Sequence, residues 1–217
     1  MGALPLPPKQ TVEEHNRAQG TFLREKLEPA LVEARAKQRA VLFVDAAHFV
    51  RGSFLCCVWC LVRMFVRGPS GRRRYNVLGA WNGVTRELIR VTNDTRVSSD
   101  TMVELLGAIA TQAKGPTTLV LDNARYQRCE AVQVEAKRLG IGLLFLPPYS
   151  PNLNLIERLW KFTTKKALRG KHYPDFATFR DAIDDCLNRV HTDHREALAS
   201  LMTLKFQTFD NASFLAA

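Results

Sequence analysis

Residues 141–160 read IGLLFLPPYSPNLNLIERLW. The run IGLLFLPP (141–148) is short, apolar and unbroken by charge, which predicts a buried strand. Pro147, Pro148 and Pro151 then restrict the backbone, and with Asn152 they make a rigid turn. Beyond it Leu153, Ile156, Trp160, Thr163 and Ala167 recur at helical spacing, predicting a helix over 153–169 with one apolar stripe. Glu157 stands near its head. Residues 158–169 then hold Arg158, Lys161, Lys165, Lys166 and Arg169 and no acid. One carboxylate leading a basic helix needs explaining.

Working outward, the same alternation recurs upstream. TTLVLDNAR (117–125) predicts a buried strand with Asp122 at its carboxyl end, followed by a helix over 126–139 that Gly140 ends. SSDTMVELLGAIATQAK (98–114) predicts a helix capped by Ser98 or Ser99, with Met102, Leu105, Leu106 and Ile109 on its apolar face. YNVLGAWNG (75–83) and ELIRVTND (87–94) predict two antiparallel strands, and VLFVDAAHFV (41–50) a buried strand with Asp45 near its end. A helical arm over 11–39 precedes them and a long helix over 174–194 follows. Alternating strands and helices imply parallel strands with helices on both faces. The hairpin makes the sheet mixed.

The chain has 217 residues, enough for one domain with extensions, and is 46% hydrophobic, enough for a real core. Its formal net charge is +10 and its pI about 9.7, which favours a polyanionic partner, most simply nucleic acid. Arg72, Arg73 and Arg74 close an arginine-rich stretch over 51–74 that holds no acid. Cys56, Cys57, Cys60, Cys129 and Cys186 make an odd count without a secretory signal, which fits a reducing cytosol. Cys57 and Cys60 have C-x-x-C spacing, but no second pair completes a zinc site. Their apolar run is too short to span a bilayer, and a cytoplasmic protein is expected.

Asp45 and Asp122 interrupt apolar strands, where a buried carboxylate is costly unless it is paired or metal-bound. Each could instead cap the following turn, and Asn154-x-x-Glu157 could be a capping box. Taken together, three carboxylates at one sheet edge make a hard oxygen site suited to Mg²⁺ or Mn²⁺. Paired ions of this kind drive displacement at phosphorus. Glu157, Lys161 and Lys165 lie along one line of the helix, so the acid can hold metal while the lysines meet phosphates.

DAAHF, LVLDNARYQRC and LPPYSPNLNLIERLWKF resemble the catalytic domain of DDE transposases of the mariner superfamily, in its bacterial insertion-sequence branch. Asp122 and Glu157 are separated by 34 residues, the spacing of that group. The resemblance implies an RNase H-like α/β fold: a mixed sheet, antiparallel hairpin plus parallel strands, flanked by helices. It implies a domain over 40–209, after an arm (1–39) and before a tail (210–217). It implies that Asp45, Asp122 and Glu157 bind two Mg²⁺ ions, with Mn²⁺ as substitute, and cut and join DNA in the bacterial cytosol or nucleoid. His48 and Asn123 are candidate supporting residues. Arg72, Arg73, Arg74, Arg125, Arg158, Lys161, Lys165 and Lys166 are candidate DNA contacts. A homodimer is expected, because two transposon ends must be handled together.

The pattern departs from that family in one respect. Fewer than 45 residues precede Asp45, too few for the helix-turn-helix modules that read terminal repeats. The reading part is expected either on a separate reading frame, as a partner module, or in a longer protein of which this chain is a fragment, and the arm's apolar face needs either a partner or the core. Two other readings stand beside transposition: a stand-alone RNase H-like nuclease, and an inactive DNA-binding remnant or accessory subunit. Three acids in unbroken context weigh against the remnant.

Overall fold

The computed structural model describes residues 11–52 and 73–207. Five strands form one sheet: β1 (Ala40–Val50), β2 (Arg74–Asn82), β3 (Leu88–Asn93), β4 (Thr117–Leu121) and β5 (Ile141–Phe145). Their spatial order is β3-β2-β1-β4-β5. β1, β2 and β3 are antiparallel neighbours, whereas β4 and β5 add in parallel beside β1. Parallel neighbours need a crossover. Helix α3 (Ser99–Gln112) leads into β4 and α4 (Glu130–Arg138) carries the chain from β4 to β5. This is the mixed sheet expected, and the fold is RNase H-like.

Period-two alternation sorts the strand residues into two cores. Leu42, Val44, Leu78 and Ala80 face α3 and α4, against Met102, Leu105, Ile109 and Val132. Val41, Phe43, Phe49, Val77 and Trp81 face the other way. There they meet α5 (Ile156–Thr163) and α6 (Phe176–Asn188), through Ile156, Trp160, Phe179 and Ile183. The stripe Leu153, Ile156, Trp160, Thr163 and Ala167 is buried throughout, as its spacing predicts.

The arm is part of this second core. A capping box opens α1 (Val12–Phe22): Glu14 N–H donates to Thr11 Oγ1, and Thr11 N–H donates to Glu14 Oε2. A π-helical turn (Leu23–Leu27) links it to α2 (Glu28–Arg35). The single helix expected over 11–39 is interrupted here, where Pro29 in the first turn of α2 supplies no N–H to the preceding turn. Phe22, Leu27, Ala30, Leu31 and Ala34 are all buried against the sheet and α5 layer. The arm's apolar face is therefore covered by the core itself.

Other expected bounds shift. The helix expected over 126–139 begins as a 3₁₀ turn (Arg125–Gln127) before α4. The helix expected over 174–194 stops at Asn188, and α7 (Arg195–Leu201) follows a turn. In that turn His191 stacks on Trp81, and His194 meets the Phe162 ring edge-on. These histidines lie over aromatic surface. Cys56, Cys57, Cys60, Trp59 and Arg72 lie outside the described residues. Among the described residues, no helix is long and apolar enough to cross a membrane.

Candidate active site

Asp45 sits midway along β1, not near its end as the sequence suggests. The parallel pairing of β1 with β4 stops at Phe43–Val120, while pairing with β2 continues to Val50. The sheet therefore splits beside Asp45. Continuing the parallel register by two residues places Asp122 alongside Asp45, on the same face. Glu157 projects from the first turn of α5, which packs on that face. The topology thus brings all three sequence-predicted acids to one cleft, at the carboxyl end of β4.

Electrostatics reports their proximity. Asp45 is only 8% exposed. Burial, then the charges of Asp122 and Glu157, push its carboxyl up to about 8. Glu157 is also raised, by burial first and with Asp122 adding to it, while Lys161 opposes the shift. Among the described residues none of the three acids has an ion-pair partner within 4.0 Å. Nor is any group of three His, Cys, Asp or Glu side chains closed into a metal cage. Like charges repel, so carboxylates close tightly around one point only with a cation between them. Three convergent carboxylates, one deeply buried and uncompensated, fit hard divalent cations.

The turn before Glu157 is anchored from three directions. Asn154 does not form the capping box its spacing suggests; its side-chain amide donates to Val44 O at 3.1 Å, beside Asp45. This ties the start of α5 to β1. From the arm, the Gln19 amide donates to Ser150 Oγ and accepts from Asn152 Nδ2. From the C-terminal segment, Gln207 O accepts from Asn152 Nδ2. Asn123 has a left-handed backbone (φ 74°), and its side chain donates to Leu146 O. The turn after Asp122 is thereby tied to the segment leading to Glu157.

His48 does not join this cleft. Three residues along a strand reverse the face, so His48 points away from Asp45. Its Nδ1 pairs with Asn76 Oδ1 at 2.7 Å, and Asn76 continues to Asn93. Tyr126, not singled out in the sequence, is drawn towards the site instead. Burial and then the charges of Asp122 and Asp45 raise its hydroxyl above the usual phenol range.

The basic residues divide. Lys161, Lys165 and Lys166 are exposed, on α5 and the π turn Thr164–Leu168 that follows it. Arg74 opens β2 and Arg125 follows Asp122, both exposed. Arg73 pairs with Asp94 at 3.5 Å and lies over the Phe176 ring. Arg158 has an internal role in place of the phosphate contact expected: its guanidinium donates to the carbonyls of Leu201, Thr203 and Lys205. It clamps the C-terminal segment onto α5.

The model of the DDE superfamily endonucleases matches residues 64–180, more than half of the chain. The chain belongs to that family. No curated protein matches it at a significant level. Among solved structures it is similar to the Mos1 transposase paired-end complex with the left transposon end, at 11% identity and a TM-score of 0.63, covering 95% of this chain and 68% of that one. It is likewise similar to the Mos1 mariner paired-end complex with Mn, at 11% identity and a TM-score of 0.60, covering 95% and 68%. The catalytic domain of Mos1 mariner transposase gives 12% identity and a TM-score of 0.55, covering 95% of this chain and all of that one. At such identities the likeness is one of fold.

Proposed function

We propose that this chain is the catalytic part of a transposase of the mariner superfamily, in its bacterial insertion-sequence branch. Residues 40–209 form the catalytic unit, preceded by arm 1–39, whose residues 11–39 pack on it, and followed by tail 210–217. The observation that carries the reading is the meeting of Asp45, Asp122 and Glu157 on one face where the sheet splits. Asp45, Asp122 and Glu157 would hold two divalent cations, Mg²⁺ or Mn²⁺, which when bound supply positive charge at phosphorus and acidify a bound water. The Mos1 complexes, with transposon-end DNA and with Mn, agree with that choice of partner and ion.

The protein's own groups position the reactants. Lys161 and Lys165, one and two turns beyond Glu157, hold the phosphates of the strand being cut. Lys166, Arg74 and Arg125 extend that basic surface. In cleavage, water attacks the scissile phosphorus and the P–O3′ bond breaks, freeing a 3′-hydroxyl. In joining, that hydroxyl attacks phosphorus in target DNA and displaces another 3′-oxygen. Neither step needs a covalent protein–DNA intermediate. Two ends handled together call for a homodimer, and a helix-turn-helix module would read the terminal repeats.

Nicking of supercoiled plasmid in Mg²⁺ or Mn²⁺ tests the reading, with EDTA and Asp122→Asn as controls. Losing a charged ligand removes several kcal/mol of transition-state stabilisation, so the variant should be slower by about 10³-fold. Nicking that survives Asp122→Asn would contradict the reading. The lysines are tested by salt. For Lys161→Ala with Lys165→Ala, the slope of log K against log salt on duplex DNA should fall by roughly 1.8, about 0.9 per lost phosphate contact. An unchanged slope would remove both from the DNA surface.

A further inference from the structure

By its spacing Trp160 belongs to the buried stripe of α5. Its ring is indeed buried, at 6% exposure, but its polar edge is not idle. Trp160 Nε1–H donates to Asp45 Oδ2 at 3.0 Å, within the protein interior. The ring reaches that far because β2 carries no side chain beneath it. Gly79 is the residue directly opposite Asp45 in the β1–β2 pairing. A Cβ there would stand 2.7 Å from Trp160 Cη2 and 3.0 Å from both Trp160 Cζ2 and Ile156 Cδ1. Such contacts cannot be accommodated without moving the indole. Phe49 meets the ring edge-on, with centroids 6.4 Å apart, and holds it from another side.

We propose that Trp160 is a positioning residue for Asp45, seated in a notch that Gly79 leaves open, so that α5 both presents Glu157 and orients Asp45. The proposal rests on the catalytic role given to Asp45 above. The chemistry suits the task. An indole N–H is a neutral donor with no acceptor, so it fixes a carboxylate without cancelling its charge and without competing for a metal. A Lys or Arg in the same place would form an ion pair and weaken the carboxylate as a ligand. Hydrogen bonds of this kind to ligating carboxylates set their orientation, and losing one costs about ten- to a hundredfold in metal affinity or activity. Glu157 and Trp160 share one turn of one helix, so a shift of α5 moves both together.

The test uses the full chain and Mn²⁺ alone as the probe. Trp160→Phe keeps an aromatic ring and removes only the N–H and part of the indole. Calorimetric titration should show Mn²⁺ binding weakened by about ten- to a hundredfold. In the plasmid assay kcat should fall to a similar degree, while KM for DNA stays unchanged. Gly79→Ala, which displaces the same ring from below, should shift Mn²⁺ affinity in the same direction. Trp160→Phe with lower thermal stability but unaltered Mn²⁺ affinity would show packing alone and overturn the proposal. Should Trp160→Phe fail to fold, the wild-type indole ¹⁵N–H resonance decides. It should move upfield in Asp45→Ala, and an unmoved resonance would equally overturn the proposal. A wild-type chain that binds no Mn²⁺ would sink the proposed function and this inference together. Wild-type binding that Trp160→Phe leaves intact would sink this inference alone.

Discussion

Asp45→Asn should stop catalysis and at the same time make the metal-free protein more stable. The two effects come from one fact: Asp45 is a carboxylate buried beside two others. Its loss would remove one of the three proposed metal ligands, with the same decline of about 10³-fold expected at Asp122. The stability effect follows from linkage. Burial and neighbouring charge raise the folded-state pKa from an ordinary 3.8 to about 8. Between those values the folded protein binds more protons than the unfolded chain, so stability falls as pH rises from about 4 to about 8. Each unit is worth about 1.4 kcal/mol, and relaxation around the ionised group returns part of it, leaving about 2 kcal/mol at stake. Asn keeps an acceptor for the Trp160 N–H and carries no charge. At pH 8 in EDTA its melting temperature should exceed that of the wild type by about 5 °C. Melting curves from pH 5 to 8 check this. A variant less stable than wild type at pH 8, or one with the same pH slope, would contradict the assignment of Asp45.

Much of this site is legible in the sequence because it is local. The apolar runs around Asp122 and before Glu157 and the proline turn can each be read within a few residues. So can the stripe Leu153, Ile156, Trp160, Thr163 and Ala167. What the sequence hides is long-range. Asp45 reads as a strand-end residue because nothing local says that β1 pairs with β2 well past the point where β4 leaves it. Asn154 reads as a cap because its partner, Val44 O, lies 110 residues away. Arg158 reads as a surface cation because its carbonyl partners lie 43 to 47 residues downstream. Gly79 reads as an ordinary strand residue until Trp160 is seen against it. His48 is different: strand periodicity already places it on the face opposite Asp45, and the sequence could have excluded it.

The arm supplies the other large effect. Leu27 is fully buried, and Phe22, Ala30, Leu31 and Ala34 are nearly so, all within the core that holds α5 in place. Leu27→Ala should cost about 2–5 kcal/mol, for lost transfer energy plus a cavity that rigid neighbours cannot close. That is a large share of the 5–15 kcal/mol typical of a folded domain, a range that sets the approximate scale here. Removing residues 1–36 deletes all five side chains and the Gln19 brace, exposing their apolar partners on the sheet and α5. The remaining chain should be insoluble or lack a cooperative melt, although every proposed catalytic acid is retained. Chemical denaturation of Leu27→Ala and size-exclusion of the truncated chain check both parts. A monodisperse, cooperatively melting chain from residue 37 onward would show that the arm is an accessory to the core.

A transposase site joins DNA as well as cutting it, and joining is what separates it from a nuclease. The most direct measurement supplies a pre-cut, labelled oligonucleotide with a free 3′-hydroxyl, a plasmid target and Mn²⁺. A helix-turn-helix module that reads the transposon end is added in one arm. Labelled strand covalently joined to plasmid, absent in EDTA and in Asp122→Asn, is the result expected of a transposase. Metal-dependent nicking of the plasmid with no label joined, with or without the reading module, would contradict it and leave a nuclease.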